Sequence, residues 1–599
     1  MMTRGGWMGV ALAALLAWPG GPSAAQQAAD AVSPEAAGAG ALALTPEVAA
    51  AQEAKAAGRS VKAREWMVAV ANPHAAMAGA RVLRAGGTAA DAMVAVQAVL
   101  GLVEPQSSGL GGGAFLLWYD AQAGALTTLD GRETAPMVAT PTLFQDEDGA
   151  PLGFFEAVVG GLSVGTPGTP ALMQAAHERW GRLPWPGLFK DAITLAEDGF
   201  DVSPRLAGLV DRDAARLAVH PETARYFLPG GAPLAEGDML RNPAYADVLR
   251  LIGRQGAEAF YTGALAEDIV AAVHGAARPG LLSLRDLEGY AVKERAPVCA
   301  PYRGHDVCGM GPPSSGGLTV GQILGLLEGY DLTALGPRSA RAWRLIGDAS
   351  RLAFADRGRY MADSDFVPVP AKGLLAPDYL ARRAEALEGD AALRDVAPGM
   401  PEFDHAGLWG PGGTLSQPAT SHISIVDGYG NALSMTTTIE NAFGSRVMVR
   451  GMLLNNELTD FSFRTHRDGR PVANAVAPGK RPRSSMAPTI VMRGGAPVLV
   501  LGSPGGSRII GYVAQALIAQ LDWGMDVQQA AAMGHLVNRF GTFDIERGTR
   551  AEALAAPLAD LGYEVEPRAM TSGLHLIALT PDGLRGGADP RREGVALGQ

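Results

Sequence analysis

Apolar residues recur along this chain with two interleaved periods. Spacings of three and four, which place residues on one face of a helix, cover 91–103, 171–180, 186–197, 242–255, 319–328, 340–360 and 508–521. Short runs rich in β-branched and aromatic residues predict strands at 114–119, 421–427, 432–439, 489–492 and 497–501. The middle of the chain, about 170–400, reads as mostly helical. A Gly/Pro linker follows at 407–418 (GLWGPGGTLSQP), and strands dominate beyond it, so the sharpest change of texture falls near residue 419. There is no internal repeat.

The first residues read as an address. Arg4, the apolar run 9–18 (GVALAALLAW) and Ser23-Ala24-Ala25 have the order of a secretory signal over 1–25. That run is too short to span a bilayer, and Pro19 with Gly20-Gly21-Pro22 ends it. Residues 26–60 are Ala-rich, weakly patterned, and read as a mobile leader. The expectation is an exported protein, periplasmic or secreted, with no membrane span once mature.

Composition narrows the class. With 47% hydrophobic and 19% charged residues in 599, the chain can bury a large core, which excludes a disordered protein. A formal charge of −11 and the lack of a basic stripe argue against a nucleic-acid partner. The two cysteines, Cys299 and Cys308, flank a turn at Arg303-Gly304. Reversal there would set Cys299 opposite Cys308 as a close, non-hydrogen-bonded pair. A disulfide is feasible in that register, and two buried thiols are the other reading. No His/Cys cluster, H-E-x-x-H or Walker lysine is present, so neither a metal nor an organic cofactor is expected.

Two motifs fail on their surroundings. Gly161-Leu162-Ser163-Val164-Gly165 matches G-x-S-x-G, which would make Ser163 the nucleophile of a secreted esterase, but Thr166-Pro167-Gly168-Thr169-Pro170 stands where a helix should begin. Gly109 to Ala114 imitates a dinucleotide fingerprint, yet a strand follows it. One constellation holds. Thr420 opens the strand TSHISIVD directly after the linker. If the bond between Ala419 and Thr420 were cut, the freed α-amine would titrate near 7.7–8.0 and could serve as base for its own hydroxyl. Residues 61–419 and 420–599 would then be a large and a small subunit of one fold. A non-catalytic periplasmic binding protein is the rival from another class.

Over nearly its whole length after the signal, and most densely from Thr420 to Arg508, the chain resembles the γ-glutamyltransferase family of self-cleaving N-terminal-nucleophile hydrolases. TSHISIVD, SMTTTIE, LLNNELTDFS, KRPRSSMAPTIV and GSPGGSRII stand in the family's order, with GLGGGAF, DGRETAP, GTPGTP and GPPSSGG upstream. The resemblance implies an α+β, four-layer αββα sandwich of two mainly antiparallel sheets flanked by helices. It implies cleavage of the γ-glutamyl amide of glutathione or related compounds through a threonyl acyl-enzyme, with water, an amino acid or a peptide as acceptor. Thr420 corresponds to the nucleophile and Thr438 to the threonine that orients it, although Thr438 alone reads as an ordinary β-branched strand residue. Arg132, Ser484 and Ser485 correspond to the clamp on the donor's α-carboxylate. Glu457 and Asp460 correspond to partners of its α-ammonium, and the backbone N–H groups of Gly505 and Gly506 to the oxyanion hole. His422 tempts a triad reading, but the α-amine already supplies a base, so a structural role is expected.

Two features depart from the family pattern. Glu440 stands where many relatives have Asn, and strand alternation would place it on the face of Thr438, adding a third carboxylate to the ammonium pocket. The segment 463–472 (FRTHRDGRPV) is shorter than the lid of many relatives and lacks a tyrosine, which implies a more open site and a shift toward hydrolysis. Both features keep a cephalosporin acylase or a poly-γ-glutamate-cleaving enzyme open as alternatives on the same scaffold.

Overall fold

The computed structural model describes residues 44–403, 409–412 and 419–599. The expected signal and most of the linker lie outside them. Two seven-stranded antiparallel sheets form the centre. The first runs Val595–Gly598, Met67–Val70, Ser421–Val426, Ala432–Thr438, Gly113–Asp120, Ala125–Gly131 and Lys293–Arg295. The second runs Val61–Ala63, Gly583–Ala588, His575–Thr580, Ala496–Gly502, Thr489–Arg493, His305–Gly309 and Val298–Tyr302.

Strand alternation builds the layers. Leu116, Ile423, Ile425, Leu433 and Met435 share one buried cluster with the helices Pro73–Arg84, Ala89–Val103 and Thr169–Trp180. Phe115 and Leu117, one residue out of phase, join Ile490, Leu499 and Leu501 of the second sheet. The helices Gly316–Leu327, Ala340–Tyr360 and Ile509–Leu521 pack on the second sheet's far side. This is the expected four-layer αββα sandwich. Helix starts follow local chemistry: Thr88 caps Ala89–Val103 and Asp91 returns the bond, a reciprocal cap that fixes the first turn.

At the centre of the first sheet the inward-facing side chains are polar, and they tie the sheets together. Ser424 Oγ donates to the His575 carbonyl at 3.0 Å, and Ser434 Oγ to that of Leu501 at 3.0 Å. His422 lies fully buried among them, its ring nitrogens on Thr436 Oγ1 at 2.9 Å and Ser424 Oγ at 3.0 Å. Burial, with His575 adding to it, holds its pKa well below the usual histidine range. A neutral ring with both nitrogens engaged is a structural latch, as expected.

The leader expectation needs correction. Pro46–Ala56 is a helix, capped by Thr45 and burying Val48 and Ala51. Lys55 Nζ donates to the carbonyls of Arg592 at 3.0 Å and Gly594 at 2.7 Å, anchoring it to the chain's end. The Ala-rich composition hid it, because few large apolar residues mark its buried side.

Cys299 and Cys308 are bonded, on register partners with Cα atoms 4.0 Å apart. The bridge staples the outermost strand of the second sheet across a separation of nine residues. Closing so short a loop stabilises by about 2–3 kcal/mol in the chain-entropy view. Replacing both cysteines by serine should therefore lower the unfolding free energy extrapolated from urea titration by that amount, whereas self-cleavage, at the other sheet, should be unaffected. Reductant should lower the wild type equally and the double variant not at all.

Candidate active site

The strand Ser421–Val426 pairs with Ala432–Thr438 in a register that sets Ser421 opposite Thr437. Thr420 just before one strand and Thr438 ending the other are thereby neighbours, and their hydroxyl oxygens lie 3.0 Å apart. Thr420 N–H donates to the Ser107 carbonyl at 3.2 Å, and Arg592 Nη1 donates to the Thr420 carbonyl at 3.1 Å. The residue is held at φ 98°, a conformation that a β-branched side chain avoids at a cost on the order of 1–3 kcal/mol. The strained residue thus lies at the Ala419–Thr420 bond expected to be cut, both residues being buried.

Thr438 is fixed from two sides. Its Oγ1 accepts the Glu440 N–H at 2.8 Å. On the other side, a Cβ at Gly112 would sit 2.0 Å from the Thr438 carbonyl oxygen, so only glycine admits this approach. The Gly-rich turn that imitates a dinucleotide fingerprint seats the second threonine.

Charge concentrates beside the pair. Oxygens of Glu440, Glu457 and Asp460 lie within 4.8 Å of one another, all buried. The strand ends at Thr438 and Glu440 has φ 79°, so a left-handed turn rather than strand alternation delivers its carboxylate. Arg132 answers these charges from the loop after Ala125–Gly131. It donates from Nη1 to Glu457, from Nη2 to Asp460 and to the Arg483 carbonyl at 3.2 Å, and from Nε to the Pro482 carbonyl at 3.1 Å. Four of its five N–H groups are thus engaged.

Burial raises the pKa of Asp460, against the pull of Arg132, Arg357 and Arg483. Burial and then the Glu457 charge raise Glu133, another buried carboxyl, well above the usual range. Burial, opposed by Arg132 and aided by Asp460, pushes Glu457 up to about 7. For Arg132 burial alone would lower the pKa, but the surrounding carboxylates more than reverse it, so the guanidinium stays charged.

Ser484 and Ser485 lie on the buried loop leading into Thr489–Arg493. Gly505, at φ 136°, and Gly506, at φ 58°, follow the strand Ala496–Gly502 and lead into Ile509–Leu521. A Cβ at Gly505 would stand 2.6 Å from the Tyr512 ring, so the turn is open only to glycine. Ser163 is elsewhere. It is buried in a short turn, its hydroxyl donates to the Val158 carbonyl at 2.7 Å, and the helix begins at Thr169, so no nucleophile elbow exists.

The γ-glutamyltranspeptidase family model matches residues 75–599. The glutathione hydrolase proenzymes of Bacillus subtilis (strain 168) and Escherichia coli (strain K12) are each 36% identical, over 89% of this chain and 92% and 91% of theirs. The chain belongs to the γ-glutamyltranspeptidase family. The solved structure of cephalosporin acylase from Bacillus halodurans is also similar, with a TM-score of 0.80 at 27% identity over 90% of this chain and 97% of that one.

Among γ-glutamyltranspeptidase motifs, sequence reasoning overlooked several residues that build this site. Glu133 stands inside the matched DGRETAP segment but carries no expected role. Ser107 and Arg592, which hold the Thr420 backbone, lie far from it in sequence and carry no motif. Ser314 and Ser315 belong to the matched GPPSSGG segment but had no role. The family's glycine turn makes a direct test. Gly112→Ala should displace Thr438, lowering turnover by about a hundredfold, as misplacement near 1 Å does. The melting temperature of the cleaved protein should change little by comparison, and equal activity in the variant would refute the packing argument.

Proposed function

We propose that this chain is a self-processing γ-glutamyl hydrolase and transferase with Thr420 as nucleophile. The carrying observation is the strained, buried Thr420 with its hydroxyl 3.0 Å from that of Thr438 at the expected cleavage bond. Thr420 Oγ attacks the Ala419 carbonyl carbon, the hydroxyl proton passes to the Thr420 nitrogen as the C–N bond breaks, and an ester forms. Water then hydrolyses the ester, releasing an Ala419 carboxylate and a free Thr420 amine, and the strain at Thr420 is relieved. In turnover that amine takes the hydroxyl proton as Oγ attacks the γ-amide carbon of the donor. The Gly505 and Gly506 N–H groups stabilise the developing oxyanion, each contributing on the order of 3–4 kcal/mol. The proton passes to the leaving amine, and water, an amino acid or a peptide accepts the acyl group.

The charge pattern supports a γ-glutamyl donor. Glu440, Glu457 and Asp460 suit its α-ammonium, and the remaining Arg132 N–H with the Ser484 and Ser485 hydroxyls suits its α-carboxylate. An acylase on this scaffold remains the second reading, favoured by the likeness to cephalosporin acylase. A glutaryl donor lacks the ammonium, and three buried carboxylates would then face it without a second cation. Export through the 1–25 segment completes the reading, and no helix among the described residues is long and apolar enough to cross a membrane. The two products of cleavage act together as one heterodimer.

Two tests follow. On a denaturing gel the wild type should give a long and a short fragment, the short one beginning TSHIS, and Thr420→Ala should stay whole. Purified enzyme should hydrolyse a γ-glutamyl anilide, faster with an acceptor dipeptide, and should prefer it to a glutaryl β-lactam; the reverse preference would make it an acylase. A further test concerns pH. Glu457 must be ionised to hold the ammonium, and its pKa near 7 means donor binding is complete above that value and lost as pH falls through it. The free Thr420 amine titrates at about 7.7–8.0 on the same side. The acid limb of log kcat/KM should therefore approach a slope of two in the wild type and of one in Glu457→Gln. Equal slopes would remove Glu457 from donor binding.

A further inference from the structure

Arg357 lies on the helix Ala340–Tyr360, behind the two serines, and is 4% exposed. Its Nη2 donates to Ser485 Oγ at 2.7 Å and its Nε to Ser315 Oγ at 2.8 Å. A guanidinium only donates, so both hydroxyls must accept from it. Each serine has a single proton, and the position of its acceptor bond decides where that proton can go. Ser315 sends its own to the Ser484 carbonyl at 2.6 Å, and the Ser315 N–H reinforces that bond at 2.9 Å. Ser485, accepting from Arg357, keeps its proton for another acceptor. Ser484 Oγ is set likewise by accepting the Met486 N–H at 3.1 Å. The loop is pinned further by Ser484 N–H on the Pro313 carbonyl at 3.0 Å and by Ser314 Oγ on the Met486 carbonyl at 2.6 Å.

Both hydroxyls thus keep their protons for another acceptor, Ser485 through Arg357 and Ser484 through the Met486 N–H. We propose that Arg357 is a positioning residue for donor recognition, aligning the Ser485 hydroxyl directly, and the Ser484 backbone through Ser315, toward the donor's α-carboxylate. The GPPSSGG segment joins it through Ser315, so this helix and two loops form one unit. The inference rests on the γ-glutamyl reading above.

The test compares γ-glutamyl 4-nitroanilide with 4-aminobutanoyl 4-nitroanilide, which keeps the amine and the scissile amide but lacks the α-carboxylate. Arg357→Gln should lower kcat/KM for the first by about ten- to a hundredfold, the scale of losing hydrogen bonds to a charged group, chiefly through KM. The same constant for the second donor should stay within about twofold. Arg357→Lys should recover only part, because an ammonium cannot reproduce the planar fork across two hydroxyls. Ser485→Ala should mimic Arg357→Gln, and the double variant should be no worse than the more damaged single one. Equal losses on both donors would make Arg357 a structural strut and overturn the proposal, as would an unchanged KM for the γ-glutamyl donor. If Arg357→Gln fails to mature, Arg357→Lys is judged by the same ratio between donors. A wild type inactive on γ-glutamyl 4-nitroanilide but active on a glutaryl amide would instead overturn the functional reading.

Discussion

The antiparallel pairing of Ser421–Val426 with Ala432–Thr438 is the constraint on which the site depends. It converts a sequence separation of 18 residues into a hydroxyl pair 3.0 Å apart. Small shifts in that register would send both threonines elsewhere, since one residue of slip exchanges the two faces of a strand. The fold resists slippage by more than hydrophobic alternation. Ser424 and Ser434 reach across to carbonyls of the second sheet, and His422 fills the space over Gly502, where any Cβ would lie within 2.3 Å of the ring. Polar groups buried between two sheets are costly unless satisfied, and a slipped strand would leave these unsatisfied.

The neighbouring charges obey the same economy. Without a ligand, Arg132 lies among carboxylates, and unpaired ions in so dry a place would be far more costly than the paired ones. A zwitterionic donor brings one positive and one negative group, so its arrival leaves the net charge of the pocket unchanged. Its ammonium would offer Glu457 and Asp460 a second cation, and its carboxylate would offer Arg132 an anion beyond the two it already pairs. A donor with a carboxylate alone would disturb that balance. On the proposed γ-glutamyl reading, the pocket would therefore discriminate by charge neutrality.

Much of this was legible in the chain. The helix over 340–360 and the strands after the linker appear where the apolar periods put them, because each buries a continuous face. The turn at Arg303-Gly304 set the register of Cys299 and Cys308 correctly, but whether they were bonded could not be read from alternation. Glu440 does stand beside Glu457 and Asp460, but not by the strand alternation that suggested it, since the strand stops at Thr438 and a left-handed residue makes the turn. The helix over 46–56 was missed because alanine carries too little apolar contrast. Arg357 left no trace, being one arginine among several in an amphipathic helix, and its importance comes only from which loop the fold sets against it.

That last dependence has a counterpart in the topology. Strands from 420–599 do not gather at one side of the sandwich. In the first sheet Ser421–Val426 and Ala432–Thr438 lie between Met67–Val70 and Gly113–Asp120, so each sheet neighbour across those boundaries belongs to the other segment. In the second, the run Gly583–Ala588, His575–Thr580, Ala496–Gly502 and Thr489–Arg493 lies between Val61–Ala63 and His305–Gly309, both of the other segment. Separating the segments after a cut would break ladder bonds in the middle of both sheets and expose the core between them. A cut at Thr420, as proposed, would therefore free a terminus without freeing a subunit, and the new amine would stay beside Thr438, where the uncut chain already places the Thr420 hydroxyl.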